Sequence, residues 1–467
     1  FFFCERCGFS VRNFHIACHG DCFCEHPTGK RIAVDGGWHD AGDLSQGLCN
    51  TAQSVSAMLE LAEHYKNQPD IYAKILSEAR WGLDWVLKTT FHDGYRGVWT
   101  TIGIWTNLKQ GDFDDIVFPA YNDPFENFCA SACESAGYRI FLGIDVKFAK
   151  ELLETAKSDF VFGMQRIDQL DCLRCFMTKR KYPQIQVYSK GIIAAVHLYH
   201  ATEEEEYLHI AVRLSKVLTD SQQLEFPNWN QPVRGFFYES PQKEHILNYY
   251  HRAHSEAPIM ALCLLCEVGK EYSEYTAWEQ AIQLYSEYIK NCSQYTSPYC
   301  IIPAGIYDTE DFDWEDAKIC GDPGVRSQEY DAQVRAGIPL DTTHYLRIFP
   351  VWHDFRGNNG VLLSLAKSAS CAAKYLHDQA LMQIAQNCEN WILGRNPFSK
   401  SLMYGEGYSF DPLYTAFSMD MVGEIPVGIK TFENRDVPYY PFENNCTYKE
   451  IWVHSAQEYL WVLADCI

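Results

Sequence analysis

Two carboxylates stand close together in a glycine-rich segment that reads Asp35-Gly-Gly-Trp-His-Asp-Ala-Gly-Asp43. Asp40 and Asp43 are three residues apart, and like charges so close raise the pKa of one group or force a shared hydrogen bond, which is a common way to tune a general base. The glycines permit a tight turn and the close approach of a ligand to the backbone. Because the D-x-x-D spacing recurs elsewhere in the chain, an acidic loop that binds a cation is the alternative interpretation.

A second group of residues, with metal-binding chemistry, surrounds this segment. Cys7, Cys18, His19 and His39 offer two thiolates and two imidazoles, which together can make a closed tetrahedral zinc site of the structural kind. Their spacing is not that of a zinc finger. Unliganded thiols in a reducing cell are the alternative, and the chain offers other potential ligands close by: Cys4, Cys22, Cys24 and His26.

The composition limits the partners and the setting. A net charge of −22 argues against nucleic acid or an anionic membrane surface as a partner, and no apolar run reaches the roughly 18 residues of a transmembrane helix. No signal peptide is recognisable, although the opening Phe1-Phe2-Phe3 lacks a methionine and leaves a truncated start open. An odd total of 19 cysteines, many of them single in apolar stretches, favours reduced thiols. We therefore expect a cytoplasmic protein, with secretion by an anaerobe as the alternative.

Helical periodicity dominates the elements that must position these residues. Apolar residues recur at intervals of three and four in about a dozen segments, many in consecutive pairs: 51–65, 71–87, 128–142, 146–162, 191–201, 207–218, 257–268, 275–291, 360–377, 381–393 and 450–464. Long irregular segments separate some of the pairs, at 94–127, 219–250, 292–350 and 394–449. Because loops of this length are usually functional, the pattern predicts one all-α domain over residues 1–467, a barrel of helix pairs whose loops form a cleft on one face.

The loop that ends at Asp43 resembles the GGW-x-DAGD signature of glycoside hydrolase family 9, the family of many cellulases. Three more stretches resemble family segments: Tyr448-Lys-Glu450-Ile-Trp-Val-His-Ser-Ala, Phe355-Arg-Gly-Asn-Asn-Gly-Val-Leu-Leu-Ser and Trp391-Ile-Leu-Gly-Arg-Asn-Pro-Phe. The resemblance spans nearly the whole chain, and it implies an (α/α)6 barrel.

The resemblance also implies roles for three carboxylates. Asp43 would be the general base that takes a proton from the attacking water, Asp40 would help to hold that water, and Glu450, at the start of the last helix, would protonate the leaving glycosidic oxygen. Inversion of this kind needs roughly 6.5–9.5 Å between the base and the acid. Glu443 and Glu458 compete for the acid role, although a surface carboxylate is the simpler interpretation of both.

The zinc expectation gains support from the same resemblance. One branch of the family carries a Cys-Gly, then a Cys-His, then a His just before the first Asp of DAGD. Zinc in that position would pin the catalytic loop to the first helix. Members of this branch often carry an immunoglobulin-like domain ahead of the barrel, and none is seen in this sequence.

Two features depart from the family pattern. Ser189-Lys190-Gly191 replaces the usual Asp-Glu calcium ligands, which argues against calcium at that position. The loop after the Asn-Pro motif lacks the His-x-Arg pair that grips the sugar in many members. Alternating side chains of an extended loop would then contact the sugar, together with two aromatic residues near the catalytic carboxylates, and these candidates are Tyr404, Glu406, Tyr408, Trp38 and Tyr448.

The sequence therefore predicts an inverting glycoside hydrolase that cleaves β-1,4-linked glucans in the manner of an endoglucanase. The missing His-x-Arg pair makes an exo-acting β-glucosidase or β-glucosaminidase the alternative, in which Glu406 could meet an amino sugar. A non-catalytic glycan-binding protein is a remote alternative, because Asp40, Asp43 and Glu450 are all present. No organic cofactor is expected.

Overall fold

The protein is described by a computed structural model over residues 1–100, 106–169, 182–248, 253–312, 323–351, 357–416 and 418–467. Twelve α-helices lie in these ranges: α1 (Leu48–His64), α2 (Pro69–Lys88), α3 (Pro124–Phe141), α4 (Val146–Arg166), α5 (Gln184–Thr202), α6 (Glu205–Asp220), α7 (Ala257–Val268), α8 (Tyr275–Cys292), α9 (Pro323–Arg335), α10 (Asn358–Leu376), α11 (Gln379–Ile392) and α12 (Val453–Cys466). None of the described helices is both long and apolar enough to cross a membrane.

Six of these helices form a closed inner ring. Helices α1, α3, α5, α7, α10 and α12 each contact the next, and α12 returns to contact α1. The outer helices α2, α4, α6, α8 and α11 each pack against an inner partner. An inner helix has neighbours on nearly every side, so α10 buries 15 of its 19 residues, whereas the outer helix α2 buries 6 of its 20. The fold is the predicted (α/α)6 barrel.

The connections divide into two kinds, one at each end of the barrel. Inner helices pass to outer helices through short turns, and the acid side chains of Asp145 and Asp378 cap two of the outer helices by accepting from Phe148 N (3.1 Å) and Leu381 N (3.0 Å). Outer helices return to inner helices through long segments, at 89–123, 167–183, 221–256, 293–357 and 393–452. The described parts of these segments therefore lie at the amino-terminal ends of the inner helices, which is the loop face of the barrel.

Strands in the described residues are short and lie within the loops. One sheet pairs β1 (Cys22–Glu25) with β2 (Arg31–Ala33) antiparallel and with β5 (Ile116–Pro119) parallel, and β3 (Gln46–Gly47) pairs with β4 (Trp99–Thr100). Another sheet has the order β6 (Gly305–Asp308), β8 (His344–Arg347), β7 (Ile338–Pro339), all antiparallel. The last is a hairpin of β9 (Lys430–Thr431) and β10 (Pro438–Tyr439).

The structure differs most from the sequence prediction in three places. Helix α5 begins seven residues earlier, because its first turns bury polar residues that break the apolar pattern. The segment 292–350, predicted to be irregular, contains β6, α9, β7 and β8; α9 was missed because its buried apolar anchors in the described structure are few, chiefly Tyr330 and Val334. Helix α12 begins at Val453, so Glu450 lies before the helix rather than at its start. Of the Phe355–Ser364 stretch, Phe355 and Arg356 lie outside the described residues, and Asn358–Ser364 forms the start of α10.

Candidate active site

The barrel topology brings the two ends of the chain together on the loop face. Asp43 lies just before α1 and Glu450 lies just before α12. These two helices are neighbours in the closed ring. The segments that carry the predicted base and the predicted acid therefore emerge side by side, although about four hundred residues separate them in the sequence.

Backbone hydrogen bonds join these two segments directly. The amide of Gly42 donates to the carbonyl of Ile451 (3.1 Å), and the amide of Val453 donates to the carbonyl of Asp40 (2.9 Å). Gly42 has no room for a side chain, because a Cβ there would lie 2.6 Å from the carbonyl oxygen of Tyr414 and 3.2 Å from Cγ of Glu450. The close approach places the side chain of Glu450 against the DAGD turn.

The two aspartates of the turn differ in exposure. Asp40 is 3% exposed, and its Oδ1 accepts a hydrogen bond from Nδ2 of Asn50, a residue of α1 that the sequence did not single out. Asp43 is half-buried, and its Oδ1 accepts from the amide of Ser45 (3.0 Å). Asp43 therefore remains accessible to solvent. Asp40 is buried, and its carboxylate is fixed by the hydrogen bond from Asn50.

Glu450 lies on the segment that precedes α12, and it is largely buried. It is 8% exposed, its Oε2 accepts from the indole Nε1 of Trp452 (3.2 Å), and its carbonyl accepts from the amide of Val427 (2.7 Å). The competitor Glu443 is exposed, as predicted. The surface expectation for Glu458 is wrong: it is fully buried in α12, where burial and then the nearby Glu256 raise its pKa well above the usual range.

Trp38 is a packing residue rather than a sugar platform. Its ring is 1% exposed and fills the space above Gly82 of α2, and its indole Nε1 donates to Oε1 of Glu78 (2.8 Å). Two other indoles of α2 hold the same loop, since Trp81 donates to the carbonyl of Gly37 (2.8 Å) and Trp85 donates to that of Val34 (3.0 Å). The sequence prediction of sugar contact by Trp38 is therefore wrong, because a tryptophan beside a glycine turn is as well suited to core packing.

The loop that carries Tyr404, Glu406 and Tyr408 is a turn and not an extended strand. Gly405 and Gly407 have φ of +80° and +74°, and the amide of Ser401 donates to the carbonyl of Ser409 (2.8 Å), which closes the loop. Glu406 is exposed, Tyr408 is fully exposed, and the ring of Tyr404 packs edge-on against Phe410 at 5.0 Å. The expected alternation along an extended segment is wrong, because glycines with positive φ reverse the chain.

Tyr448 is buried beside the acid segment. Its hydroxyl accepts from Nδ2 of Asn445 (2.9 Å), and its carbonyl accepts from the amide of Gly428 (3.0 Å). Both contacts brace the backbone two residues before Glu450.

Cys446 is a half-buried thiol that the sequence did not bring to notice. Burial raises its pKa, and the carboxylates of Glu450 and Asp43 raise it further. The thiol is thus close enough to feel both predicted catalytic groups. Glu450 follows only four residues later in the chain, whereas the proximity to Asp43 arises from the pairing of distant segments.

The four predicted metal ligands meet in one buried cluster. One ligand atom from each of Cys7, Cys18, His19 and His39 lies within 4.8 Å of the others. Sγ of Cys18 is 3.0 Å from Nε2 of His39, and Oε2 of Glu5 is 3.0 Å from the other ring nitrogen of His39. The cluster could therefore hold a metal ion, with Glu5 orienting one imidazole.

Two further observations fit this cluster to a metal. Both ring nitrogens of His19 are buried without a hydrogen-bond partner in the structure, which is costly unless another ligand satisfies them. The pKa of the Cys18 thiol lies far below its usual range, chiefly because of a hydrogen bond from Cys7. Burial opposes this shift, and the neighbouring histidines add to it. Among the described residues, the alternative ligands do not belong to this cluster: Cys4, Cys22, Cys24 and His26.

The Ser189-Lys190-Gly191 position lies inside α5 and is buried. The ammonium of Lys190 donates to Oε1 of Glu256 (2.7 Å), which also accepts from Nε2 of Gln53 (3.0 Å). Burial alone would lower the pKa of Lys190, but the Glu256 carboxylate raises it above the usual range. The ammonium group of Lys190 therefore places a positive charge at the position where the family pattern has its calcium ligands.

Comparison with known proteins gives one family. A sequence model described as glycosyl hydrolase family 9 matches residues 1–414. Endoglucanase D of Acetivibrio thermocellus is 24% identical over 229 residues, which are 44% of this chain and 36% of that protein. Endoglucanase 4 of a Bacillus species is 26% identical over 231 residues, 46% of this chain and 35% of that protein. The chain thus matches about a third of the length of these curated relatives.

Solved structures share the fold at low identity. A zinc-binding triple mutant of the family 9 endoglucanase J30 is 14% identical with a TM-score of 0.65, and the match covers 99% of this chain and 82% of that one. The cellulase Cel9M of C. cellulolyticum, solved with cellobiose, is 16% identical with a TM-score of 0.61, covering 99% of this chain and 95% of that one. Structural similarity at identities this low shows the fold alone, so the chemistry has to be argued from the residues of this chain.

Proposed function

The chain belongs to glycosyl hydrolase family 9, and on that premise we propose that it hydrolyses β-1,4-linked glucans as an inverting, endo-acting glycosidase. Asp43 is the proposed general base and Glu450 the proposed general acid. The observation that carries the proposal is the hydrogen-bonded join between the DAGD turn and the Glu450 segment, at Gly42 and Ile451 (3.1 Å). This join supports the proposal because it brings the segments that carry the two carboxylates into contact on the loop face.

The proposed reaction uses the different settings of the three carboxylates. A water between the turn and the sugar gives its proton to half-buried Asp43 and attacks the anomeric carbon. Asp40, held through Asn50, accepts a hydrogen bond from the same water and fixes its direction. Glu450, sheltered by Trp452, donates a proton to the leaving oxygen, so that neither product departs as an alkoxide. Attack from the face opposite the leaving group inverts the anomeric centre.

The test is the stereochemistry and the size of the first products. Proton NMR of a fresh digest of cellohexaose should show the α-anomer at the new reducing end, and a soluble β-1,4-glucan should lose viscosity faster than it gains reducing ends. A first product with the β-anomer would contradict inversion. Release of single glucose units at constant viscosity would contradict endo action.

Endo action is favoured over the exo alternative by the relatives. The curated relatives and the solved neighbours quoted above are named as endoglucanases or cellulases. The amino-sugar alternative rested on the missing His-x-Arg pair, with Glu406 as the residue that would meet the amino sugar, and Glu406 is exposed. We propose that Tyr408 and Glu406 contact the sugar chain from the rim of the cleft, with Tyr404 supporting the loop and Tyr448 bracing the acid segment.

We further propose that the buried cluster of Cys7, Cys18, His19 and His39 holds a structural zinc ion. Two thiolates and two imidazoles are the donors of closed tetrahedral zinc sites. His39 immediately precedes Asp40, so a metal there would fix the catalytic turn to the amino-terminal segment. A metal held by these four residues would cross-link the amino-terminal segment to the loop, and none of the proton transfers proposed above involves it.

The remaining thiols support a reducing setting. Cys129, Cys133, Cys263, Cys266 and Cys388 are buried in helices, where they pack as small apolar side chains. We propose that the protein works in the cytoplasm, or outside the cell of an anaerobe.

A further inference from the structure

The residue before the proposed acid is a buried lysine. Lys449 is 2% exposed, and its ammonium donates to Oδ2 of Asp411 (2.9 Å) and to the carbonyl of Phe442 (3.3 Å). The ammonium also lies 4.9 Å from the ring centre of Tyr440. A buried ammonium is costly unless a carboxylate compensates it, so the position of Lys449 depends on Asp411. Neither residue takes part in the proton transfers proposed above.

Asp411 holds two lysines at once. Its Oδ1 accepts from the ammonium of Lys400, while its Oδ2 accepts from that of Lys449. Burial alone would raise the pKa of Asp411, but the hydrogen bonds from Lys400 and Lys449 hold it below the usual range. The carboxylate therefore remains ionised at neutral pH and keeps both contacts. Its side chain is 16% exposed, so solvent screens the two ion pairs only in part.

The two lysines belong to different segments of the loop face. Lys400 immediately precedes the loop 401–409, called here the rim loop, and the carbonyl of Lys400 accepts from Nδ2 of Asn396 (2.7 Å). Asp411 stands two residues after the end of the same loop. Lys449 belongs to the segment that carries the acid. The ion pairs therefore close the base of the rim loop and join it to the acid segment.

Backbone pairing fixes the direction of the acid segment. The amide of Tyr414 donates to the carbonyl of Lys449 (2.7 Å), and the carbonyl of Tyr414 accepts from the amide of Ile451 (3.2 Å). Tyr414 and Glu450 thus pair as residues of parallel strands do. Consecutive residues of a strand point to opposite faces, so Lys449 anchors the segment from the side away from the acid.

The orientation of Glu450 depends on what holds this segment. A general acid must lie within hydrogen-bond distance of the leaving oxygen, and a displacement of about 1 Å can cost 10²-fold in rate. Because Glu450 lies before α12, no helical hydrogen bonds fix its backbone. The backbone pairing and the ion pair of Lys449 therefore supply the anchorage.

We propose that Asp411 is a positioning residue for the general acid: through its ion pair with Lys449, it holds Glu450 where it protonates the leaving oxygen. The inference rests on the proposed function and deepens it, because it assigns the orientation of the acid to two residues that do not touch the substrate. Lys400 ties the same carboxylate to the rim loop, so the rim loop and the acid share one anchor.

The test compares two leaving groups. An alkoxide released from a glucan needs a proton from Glu450, whereas a dinitrophenolate leaves without one. Asp411→Asn should therefore lower kcat on cellohexaose roughly 10- to 100-fold with KM unchanged, and should lower kcat on dinitrophenyl β-cellobioside by at most about twofold. Lys449→Met should give the same pattern. This second variant removes the buried charge, so it tests the inference even where Asp411→Asn fails to fold.

Asp378→Asn is the matched control. Asp378 also accepts from a lysine, Lys290 (2.7 Å), but it lies before α11, at the end of the barrel opposite the loop face. Asparagine keeps the oxygen that caps this helix, so the variant should behave as wild type on both substrates. Equal losses on the two substrates in Asp411→Asn and Lys449→Met would show a general structural role and overturn the inference, as would wild-type kcat on cellohexaose.

Glu450→Gln separates failure of this inference from failure of the proposed function. It should lose cleavage of cellohexaose and keep cleavage of the dinitrophenyl substrate. That result, with no difference between the leaving groups in Asp411→Asn and Lys449→Met, would overturn the positioning role and leave the function standing. Equal losses on both substrates in Glu450→Gln, or wild-type protein that cleaves no β-glucan, would overturn the proposed function and the inference with it.

Discussion

At the scale of single residues, the catalytic proposal depends on the side-chain chemistry of Asp43 and Glu450. Asp43→Asn removes the proton acceptor and Glu450→Gln removes the proton donor, while each keeps nearly the same shape. General acid–base catalysis contributes roughly 10²- to 10⁴-fold, so kcat on cellohexaose should fall by at least that lower bound in each variant, with the melting temperature unchanged. Glu443→Gln, on the exposed competitor, should retain wild-type kcat. Near wild-type kcat in either catalytic variant would remove that residue from the mechanism.

Gly42 tests the geometry between these two groups. A methyl group there would lie 2.6 Å from the backbone oxygen of Tyr414, so the backbone must shift to admit it. A displacement of about 1 Å near the reacting atoms can cost 10²-fold in rate. We expect Gly42→Ala to lower kcat by about that factor. The control is Gly143→Ala, because nothing lies within 4 Å of its added methyl group. An unaltered kcat in Gly42→Ala would show that the join between the two segments does not set the catalytic geometry.

At the scale of elements, the amino-terminal segment and α2 both contact the glycine-rich loop that leads to Asp40. The carboxylate of Glu78 on α2 accepts from Nε (2.9 Å) and Nη2 (2.8 Å) of Arg6 and also from Nε1 of Trp38 (2.8 Å). The cluster that could hold a metal ion lies on the same segment, through Cys7 and Cys18. The loop, helix α2 and the candidate ligand residues thus form one anchored unit next to Asp40.

Removal of a metal ligand should loosen this unit. Protein purified without added metal should contain about one zinc per chain, and Cys18→Ser should lose it and melt at a lower temperature, because binding energy at a structural zinc becomes folding energy. Cys4→Ser is the control, since Cys4 lies in the same segment but outside the cluster. Metal content by atomic emission and thermal unfolding are the readouts. A wild-type protein that contains no zinc as purified, or whose melting temperature is unchanged by a chelator, would contradict the zinc proposal.

At the scale of the whole molecule, buried carboxylates make stability depend on pH. Glu389 of α11 is buried, Oε1 has no hydrogen-bond partner in the structure, and burial raises its pKa from 4.5 to about 7. Between these values the folded chain holds a proton that the unfolded chain has lost. The contribution of this group to stability is therefore present below pH 4.5 and is lost as the pH rises toward 7.

Glu389→Gln should flatten this dependence, because the amide does not titrate. The free energy of unfolding in urea should fall between pH 4.5 and 7 less steeply in the variant than in wild type, by a slope of up to about 1.4 kcal/mol per pH unit. Glu205→Gln, at an exposed position of α6, should follow the wild-type curve. Equal slopes in Glu389→Gln and wild type would show that this carboxylate is ionised throughout the range.

Several features followed from the sequence by itself, because they are local. Apolar spacing of three and four residues predicted the helices that pack into the two rings, since a helix is defined by neighbours within one turn. The GGW-x-DAGD motif is contiguous, so it pointed to the family and to the turn at Asp40–Asp43 without knowledge of the fold. The cysteine and histidine set was also named correctly, because ligand chemistry restricts which side chains can meet in such a cluster.

Tertiary structure alone decided what depends on contacts between distant segments. Trp38 could pack in the core or bind sugar, and Glu458 could lie on the surface or in the core. Which of these occurs depends on the neighbours that the closed ring of helices packs against each side chain. The shape of the 401–409 loop depends on two positive φ values and a closing hydrogen bond, and the sequence pattern was interpreted as an extended loop instead. The nearness of Cys446 to Asp43 arises where segments far apart in the chain meet. Burial and proximity are properties of the packed molecule, and no local spacing encodes them.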